Sequence, residues 1–307
     1  INVVAIFSPE HGFRGNADAG EHVSSSVDSK TGVPILSLYD GKLGRPSEES
    51  MRKFDLLIVD IQDVGLRFYT YYASMVRLMD ACAEYNRKML ILDRPNPNGH
   101  YVDGPILDMK YKSSVGWLPI PIVHGMTLGE LALMVNGERW LPASRICDIT
   151  VIKCKNYTHQ TMYELPIPPS PNLPNMKAVY LYPSTCYFEA TPVSLGRGTQ
   201  LPFQIYGHPN MLGYDYTFTP QSIPGAKNPP QLNRICHGVN LSELSNEEIW
   251  KKGVDLSYLI DAYRNLNMDD YFFRPFFELL TGRDYVRKMI KQGKNCLLYT
   301  SDAADDK

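Results

Sequence analysis

The chain has 307 residues, 44% hydrophobic and 21% charged, the balance of an ordinary water-soluble globular protein. Its formal net charge is -2 with both signs interspersed, so the basic stripe that nucleic acid or an anionic membrane needs is missing. No apolar run is long enough to cross a bilayer, and the length calls for two domains rather than one core.

The chain opens inside an apolar run, Ile1 to Phe7, with no initiator Met, and Asn2–Phe7 reads as a strand. Val33–Leu38 and Phe54–Val59 read as further strands, the latter buried and apolar on both faces. Tyr72, Met75, Val76, Met79 and Ala83 then recur at helical spacing, and Cys82 in that run reads as a small buried hydrophobe. Lys88–Leu92 returns to strand, and Pro119–Val123 reads as a shorter one. Thr127 followed by Glu130 makes a capping box that opens a helix, with Leu128, Leu131, Ala132 and Val135 inward. Cys147–Ile152 alternates as a strand. Strands alternating with helices predict an α/β fold, a Rossmann-like domain with a mostly parallel sheet over residues 1–165. No GxGxxG is present, so no dinucleotide is implied.

From Leu165 to Pro174 the chain is proline-rich and reads as a stiff extended connector. Gly- and Pro-rich loops and short helices follow. Ser245 and Glu248 form a second capping box, and Leu256, Leu259, Ile260 and Tyr263 share a helical face. Residues 166–295 therefore read as a second, smaller α+β domain. Residues 296–307 resemble sequencing-adapter read-through and are set aside as a non-native tail. The six cysteines form no CxxC pair, which argues against a structural zinc site and leaves the compartment open.

In open parallel sheets, ligands bind beyond the carboxyl ends of the strands. Polar residues concentrate there: Glu10, His11 and Arg14 after the first strand, and Asp60, Asp63, Arg67 and Tyr69 after the central one. Arg94 and Asn96 follow the next, and His124 follows Val123. Each has a bland reading. Asp60 and Asp63 would cap a helix, Arg94 and Asn96 would hold a Pro-rich loop, and His124 would be a satisfied core histidine. Tyr69 is either core or a sugar-stacking ring. Glu130 is explained by its capping box. In the second domain, Glu189 follows a run of aromatics, where apolar surroundings would favour its protonated form. Arg197 stands between Gly196 and Gly198 ahead of Thr199, where a tight turn would push the guanidinium outward.

These residues sit in a series of long motifs. Ser-Pro-Glu-His-Gly-Phe-Arg-Gly begins at Ser8, and Asp-Ile-Gln-Asp-Val-Gly-x-Arg-x-Tyr-Thr-Tyr begins at Asp60. Asp-Arg-Pro-Asn-Pro follows from Asp93, and Pro-Ile-x-His-Gly-Met-Thr-x-Gly-Glu from Pro121. Pro-Ser-Pro-Asn-x-Pro then begins at Pro169 and Ser-x-Gly-Arg-Gly-Thr at Ser194. In that order they resemble the NamZ-type exo-β-N-acetylmuramidases, once a domain of unknown function. The resemblance covers residues 1–292. It implies a Rossmann-like domain plus a smaller one, and removal of terminal β-1,4-linked N-acetylmuramic acid (MurNAc) from the non-reducing ends of peptidoglycan fragments. It also implies a periplasmic or secreted bacterial protein whose first strand–helix unit and last helical segment are absent from this chain.

On that pattern Glu10 is the leading catalytic carboxylate, beside His11. The family's Phe-Glu-Gly-Thr becomes Phe188-Glu189-Ala190-Thr191, which puts the backbone there in question. Glycoside hydrolysis uses one carboxylic acid and one carboxylate. Glu10 is the expected acid, with Glu189 ranked ahead of Asp60 and Asp63 as its partner, and Arg14, Arg67 and Arg197 as cations for the lactyl carboxylate of MurNAc. No cofactor or metal is expected. The alternatives are a metal-dependent hydrolase using His11, Asp18, His22, Asp60, Asp63 and His124, or a silent wall-sugar binding module. Chelation separates the first from a glycosidase, and any turnover of a MurNAc glycoside removes the second.

Overall fold

In the computed structural model the described residues are 2–8, 26–38 and 45–294. They gather into two compact units. The first comprises Ile1–Asp63, Tyr69–Asn96 and Met126–Thr161; the second comprises Val64–Phe68, Pro97–Gly125 and Met162–Lys307.

The first unit is α/β. Strand β1 (Ile6–Ser8) pairs parallel with β3 (Pro34–Ser37), which also takes β2 (Ser26–Val27) antiparallel on its other edge. After the short helix α1 (Glu48–Met51) come β4 (Leu56–Val59), α2 (Tyr71–Glu84), β5 (Lys88–Leu92), α3 (Leu128–Gly137) and β6 (Ile149–Ile152). Strands β4, β5 and β6 form a parallel ladder in that order, with Leu57 opposite Met89 and Met89 opposite Ile149. Parallel neighbours need a crossover between them, which is why the alternation of strand and helix in the chain predicts this ladder. The expected sheet is present as two three-stranded sheets among the described residues.

Helix α2 is buried on nearly every side, including Tyr72, Met75, Met79, Asp80 and Cys82. At the start of α3 the Thr127 hydroxyl accepts from the Glu130 amide, and the Glu130 carboxylate accepts from the Thr127 amide at 2.9 Å, the reciprocal capping box read from the sequence.

Two strands differ from expectation. Strand β4 buries one face only: Leu57 and Val59 are 8% and 5% exposed, whereas Leu56 and Ile58 are 45% and 38%. A continuous apolar run meets the needs of a two-sided core without requiring one. Pro119–Val123 is not a strand; Val123 alone bridges to Leu66 and Asp103. Pro119 and Pro121 have no N–H to give a ladder.

Asp80 on α2 carries a buried charge network. Its carboxylate meets Arg145 Nη1 at 2.8 Å and also Arg45 Nη1, and both guanidiniums reach Glu84. The Asp80 side chain is 9% exposed and that of Glu84 31%. Asp80→Ala strands two partly buried cations and should cost about 3 kcal/mol in urea unfolding, whereas Glu84→Ala should cost less than about 1 kcal/mol. Equal small losses would show that the network is solvated.

The second unit is α+β. It holds α4 (Met176–Thr185), a 3-10 turn over Cys186–Ala190, and an antiparallel sheet of β7 (Ile205–His208), β8 (Tyr216–Phe218) and β9 (Cys236–Asn240), with β9 central. Helices α5 (Asn246–Lys252), α6 (Ser257–Leu266), α7 (Phe276–Thr281) and α8 (Tyr285–Lys291) follow. Tyr187, Phe188, Phe203, Phe272 and Phe277 are fully buried in its core. Ser245 and Glu248 close the second capping box. Among the described residues no helix is long and apolar enough to cross a membrane.

Candidate functional site

Polar residues gather beyond the carboxyl ends of β4 and β5 in the first unit. Arg94 Nε donates to Asp60 Oδ1 at 2.6 Å, with both side chains more than two-fifths exposed, so the pair adds little stability and both charges face solvent. Gln62 ties the two strand ends together: its amide nitrogen donates to the carbonyls of Asp63 and Pro95, each at 2.8 Å. Asp93 is a connector that the sequence reading passed over. Its carboxylate accepts from the Thr127 hydroxyl at 2.7 Å and the Gly129 amide at 2.9 Å, fixing the start of α3 to the end of β5. A strand-ending Asp followed later by a capping box is the signal that would have found it.

Several expected ligands turn out to be used by the protein itself. Asn96 is buried and its amide donates to the Met126 carbonyl at 2.9 Å, while the Tyr157 hydroxyl bonds both its backbone N–H and its carbonyl. Tyr69 is buried with its ring 4.8 Å from that of Tyr71, so it is core rather than an open sugar platform. Asp63 is buried as well. Glu10, His11 and Arg14, with Asp18 and His22, lie outside the described residues. Among the described residues no group of three or more His, Cys, Asp or Glu side chains is placed to hold a metal.

In the second unit, Arg67 is fully buried. Its Nη1 donates to the carbonyls of Pro105 (2.7 Å) and Ile120 (2.8 Å), and its Nη2 to those of Leu280 (3.1 Å) and Thr281 (2.8 Å). This corrects the expectation of a substrate-facing cation: the guanidinium is a structural hub. His124 is also buried, its amide donating to the Gly65 carbonyl at 3.3 Å. The Thr199 hydroxyl closes its own turn, donating to the Gly196 carbonyl at 2.7 Å and accepting from the Leu201 amide at 3.0 Å.

Glu189 and Arg197 come together. Arg197 Nη2 donates to Glu189 Oε1 at 2.6 Å, with the side chains 21% and 26% exposed respectively. Gly196 and Gly198 have φ of +84° and +80°, and a Cβ on either would lie 2.4 Å from a backbone oxygen, so the turn presenting Arg197 needs both glycines. Ala190 is not among the residues with positive φ, so the backbone after Glu189 takes an alanine without strain. The guanidinium lies 5.0 Å from the centre of the Phe203 ring. Burial works against the charge of Arg197, but Glu189 more than offsets it and holds the group above its ordinary value.

Tyr182 and Cys186 are buried beside this pair. Burial, followed by neighbouring Cys186 and Glu189, pushes the Tyr182 phenol well above its usual range, and burial followed by Glu189 does the same to the Cys186 thiol. Both stay neutral, so the ion pair sits against an uncharged wall in which its charges act strongly on any entering group. Tyr182, Cys186 and Glu189 stand at helical spacing, one turn apart, on α4 and the 3-10 turn that follows it. Glu189 is thus half of an ion pair with Arg197 rather than a carboxyl enclosed by aromatics alone.

The chain as a whole has known relatives. The chain is 39% identical to the peptidoglycan beta-N-acetylmuramidase NamZ of Bacillus subtilis (strain 168), over 95% of this chain and 74% of that protein. A crystal structure of a DUF1343 family protein from Bacteroides fragilis NCTC 9343 is 80% identical, with a TM-score of 0.90 over 97% of this chain and 80% of that one. A second DUF1343 structure from the same organism is 28% identical, with a TM-score of 0.78 over 100% of this chain and 84% of that one. The N-terminal sequence model of exo-beta-N-acetylmuramidase NamZ matches residues 1–177. Its C-terminal counterpart matches residues 180–305, running into the stretch set aside as a tail, which lies outside the described residues. With both halves matched in order, the chain belongs to the exo-beta-N-acetylmuramidase NamZ family.

Proposed function

We propose that this protein is a glycosidase that removes terminal β-1,4-linked MurNAc from the non-reducing ends of peptidoglycan fragments during bacterial cell-wall turnover. The observation that carries this reading is the match of both halves of the chain to the two halves of one muramidase family. Its place of action is the periplasm or the cell exterior, where peptidoglycan lies.

In the mechanism, Glu10 protonates the leaving oxygen and Glu189 supplies negative charge to the oxocarbenium-like transition state. Arg197 holds Glu189 through one nitrogen and turns its remaining N–H groups to the lactyl carboxylate, the group that separates MurNAc from N-acetylglucosamine (GlcNAc). The direct experiment follows a MurNAc-GlcNAc disaccharide by mass spectrometry. Free MurNAc should accumulate, and an intact disaccharide after long incubation with folded protein would refute the proposal.

Arg197→Ala should weaken turnover of a MurNAc glycoside by about 2–5 kcal/mol, the range for removing one partner of a desolvated charge pair. Because Arg197 also steadies Glu189, the matching GlcNAc glycoside should lose some activity too, but at least about tenfold less, the factor that 1.4 kcal/mol of carboxylate recognition represents. Arg197→Lys should recover part of the loss on MurNAc. Equal losses on the two sugars would leave Arg197 as a support for Glu189 and nothing more.

A further inference from the structure

Phe203 is held in a backbone conformation that a bulky side chain rarely adopts. Its φ is +62°, and of the ten non-glycine residues with positive φ among those described it alone is buried and alone is aromatic. Asparagine and aspartate enter this left-handed region readily, whereas a phenylalanine does so only where its surroundings over-determine it.

Those surroundings tie it to the turn that presents Arg197. The Phe203 amide donates to the carbonyl of Leu195, the residue just ahead of the Gly196–Gly198 turn, at 2.7 Å. The hydroxyl of Thr185, at the end of α4, is shared between the carbonyls of Leu181 at 2.9 Å and Phe203 at 3.2 Å. The backbone oxygen pressed against Gly196 is that of Leu201, so the turn and the segment leading to Phe203 pack directly on each other. The Phe203 ring meets Tyr182 edge-on, with centroids 4.8 Å apart and planes at 78°, and Tyr182 meets Phe68 in the same way at 5.1 Å. The Arg197 guanidinium lies over the ring, 5.0 Å from its centre.

Core filling alone does not call for this arrangement. Tyr187, Phe272 and Phe277 fill the same core from ordinary backbone. A cation over an aromatic face is attracted by the ring's quadrupole, and more strongly when the pair is out of water, as the 21%-exposed Arg197 side chain largely is. The hydrogen bond from Arg197 Nη2 to Glu189 by itself leaves a long side chain able to pivot about that contact. The ring beneath removes that freedom.

On the roles given above to Arg197 and Glu189, we propose that Phe203 is the positioning residue for this pair. Its left-handed backbone carries the ring under the guanidinium, and the ring fixes the orientation in which Arg197 holds Glu189 and meets the lactyl carboxylate.

The test replaces Phe203 with mono-, di- and trifluorinated phenylalanines, which keep the ring's shape and withdraw charge from its face in steps. The kcat/KM for a MurNAc glycoside should fall with each fluorine, by at least about fivefold across the series, the scale of a partly desolvated cation–aromatic contact. A ring that only fills space would give a flat series. Phe203→Leu keeps apolar bulk on the same backbone and removes the aromatic face, and it is read without turnover. Exchange of the Arg197 Nε proton with water, followed by NMR and assigned through its loss in Arg197→Lys, should quicken by at least about tenfold. If Phe203→Leu does not fold, the trifluorinated protein takes its place in that measurement. Quickened exchange in a protein inert on MurNAc glycosides would uphold the positioning role while removing the proposed function. A flat fluorine series in an active protein, or unchanged exchange in the folded variant, would overturn the proposal.

Discussion

Glu10→Gln should lower turnover of an unactivated MurNAc-GlcNAc disaccharide by about two to four orders of magnitude, the usual span for loss of a general acid. The residue follows β1 by two positions and belongs to the Pro-Glu-His-Gly motif that the family resemblance rests on. Gln keeps the shape of the side chain and removes the proton, so binding should survive while chemistry fails. A glycoside whose leaving group needs no protonation should lose much less, because only the acid's contribution has been deleted. Near-normal rates on the disaccharide would remove Glu10 from the role and bring Asp60 forward, since it is a half-exposed carboxylate just beyond the end of β4.

Arg67→Met should destabilise the protein by roughly 5 kcal/mol. Methionine fills much of the same space but donates nothing, so the carbonyls of Pro105, Ile120, Leu280 and Thr281 lose their charged donor inside the core. A buried polar group left without its partner costs about 1–3 kcal/mol; the Ile120 carbonyl keeps the Leu107 amide as a donor, so the losses at the other three sum to several kcal/mol, a large share of a domain's stability. Arg67→Lys should fall between, because an ammonium reaches fewer of the four. Arg283→Met is the control: its Nε donates to the Ile106 carbonyl at 2.8 Å near solvent, and its loss should cost under about 1 kcal/mol. Urea unfolding measures all three, with soluble yield as the readout if Arg67→Met does not fold. An Arg67→Met protein within about 1 kcal/mol of the parent would contradict the hub described above.

Local features were readable from the chain, while partnerships between distant segments were not. Helix α2 follows from its apolar spacing, both capping boxes from four-residue signatures, and the Gly196–Gly198 turn from the glycines themselves. Each depends on residues within a turn or two. Arg67 looked like its neighbours in a strand-end motif, because nothing nearby reveals that its acceptors lie at Pro105, Ile120, Leu280 and Thr281. The division into units was hidden for the same reason. Val64–Phe68 and Pro97–Gly125 carry no strand, and no helix beyond a 3-10 turn at Met109–Tyr111, that would assign them, and they join the second unit through contacts far along the chain. At the candidate site, Glu189 and Arg197 were both legible as residue types, but their mutual ion pair depends on how the turn folds back.

The Arg67 hub also bears on the order in which this protein can be made. Leu280 and Thr281 lie 213 and 214 residues beyond Arg67. At bacterial translation speeds that gap corresponds to roughly 10 to 40 seconds on the ribosome. Throughout that interval the fully buried guanidinium has at most half of its carbonyl partners available. The second unit therefore cannot close cotranslationally around its N-terminal segment, and the nascent chain holds that segment open until α7 emerges. A chain ending before residue 280 would lack two of the four carbonyls that hold the Arg67 guanidinium.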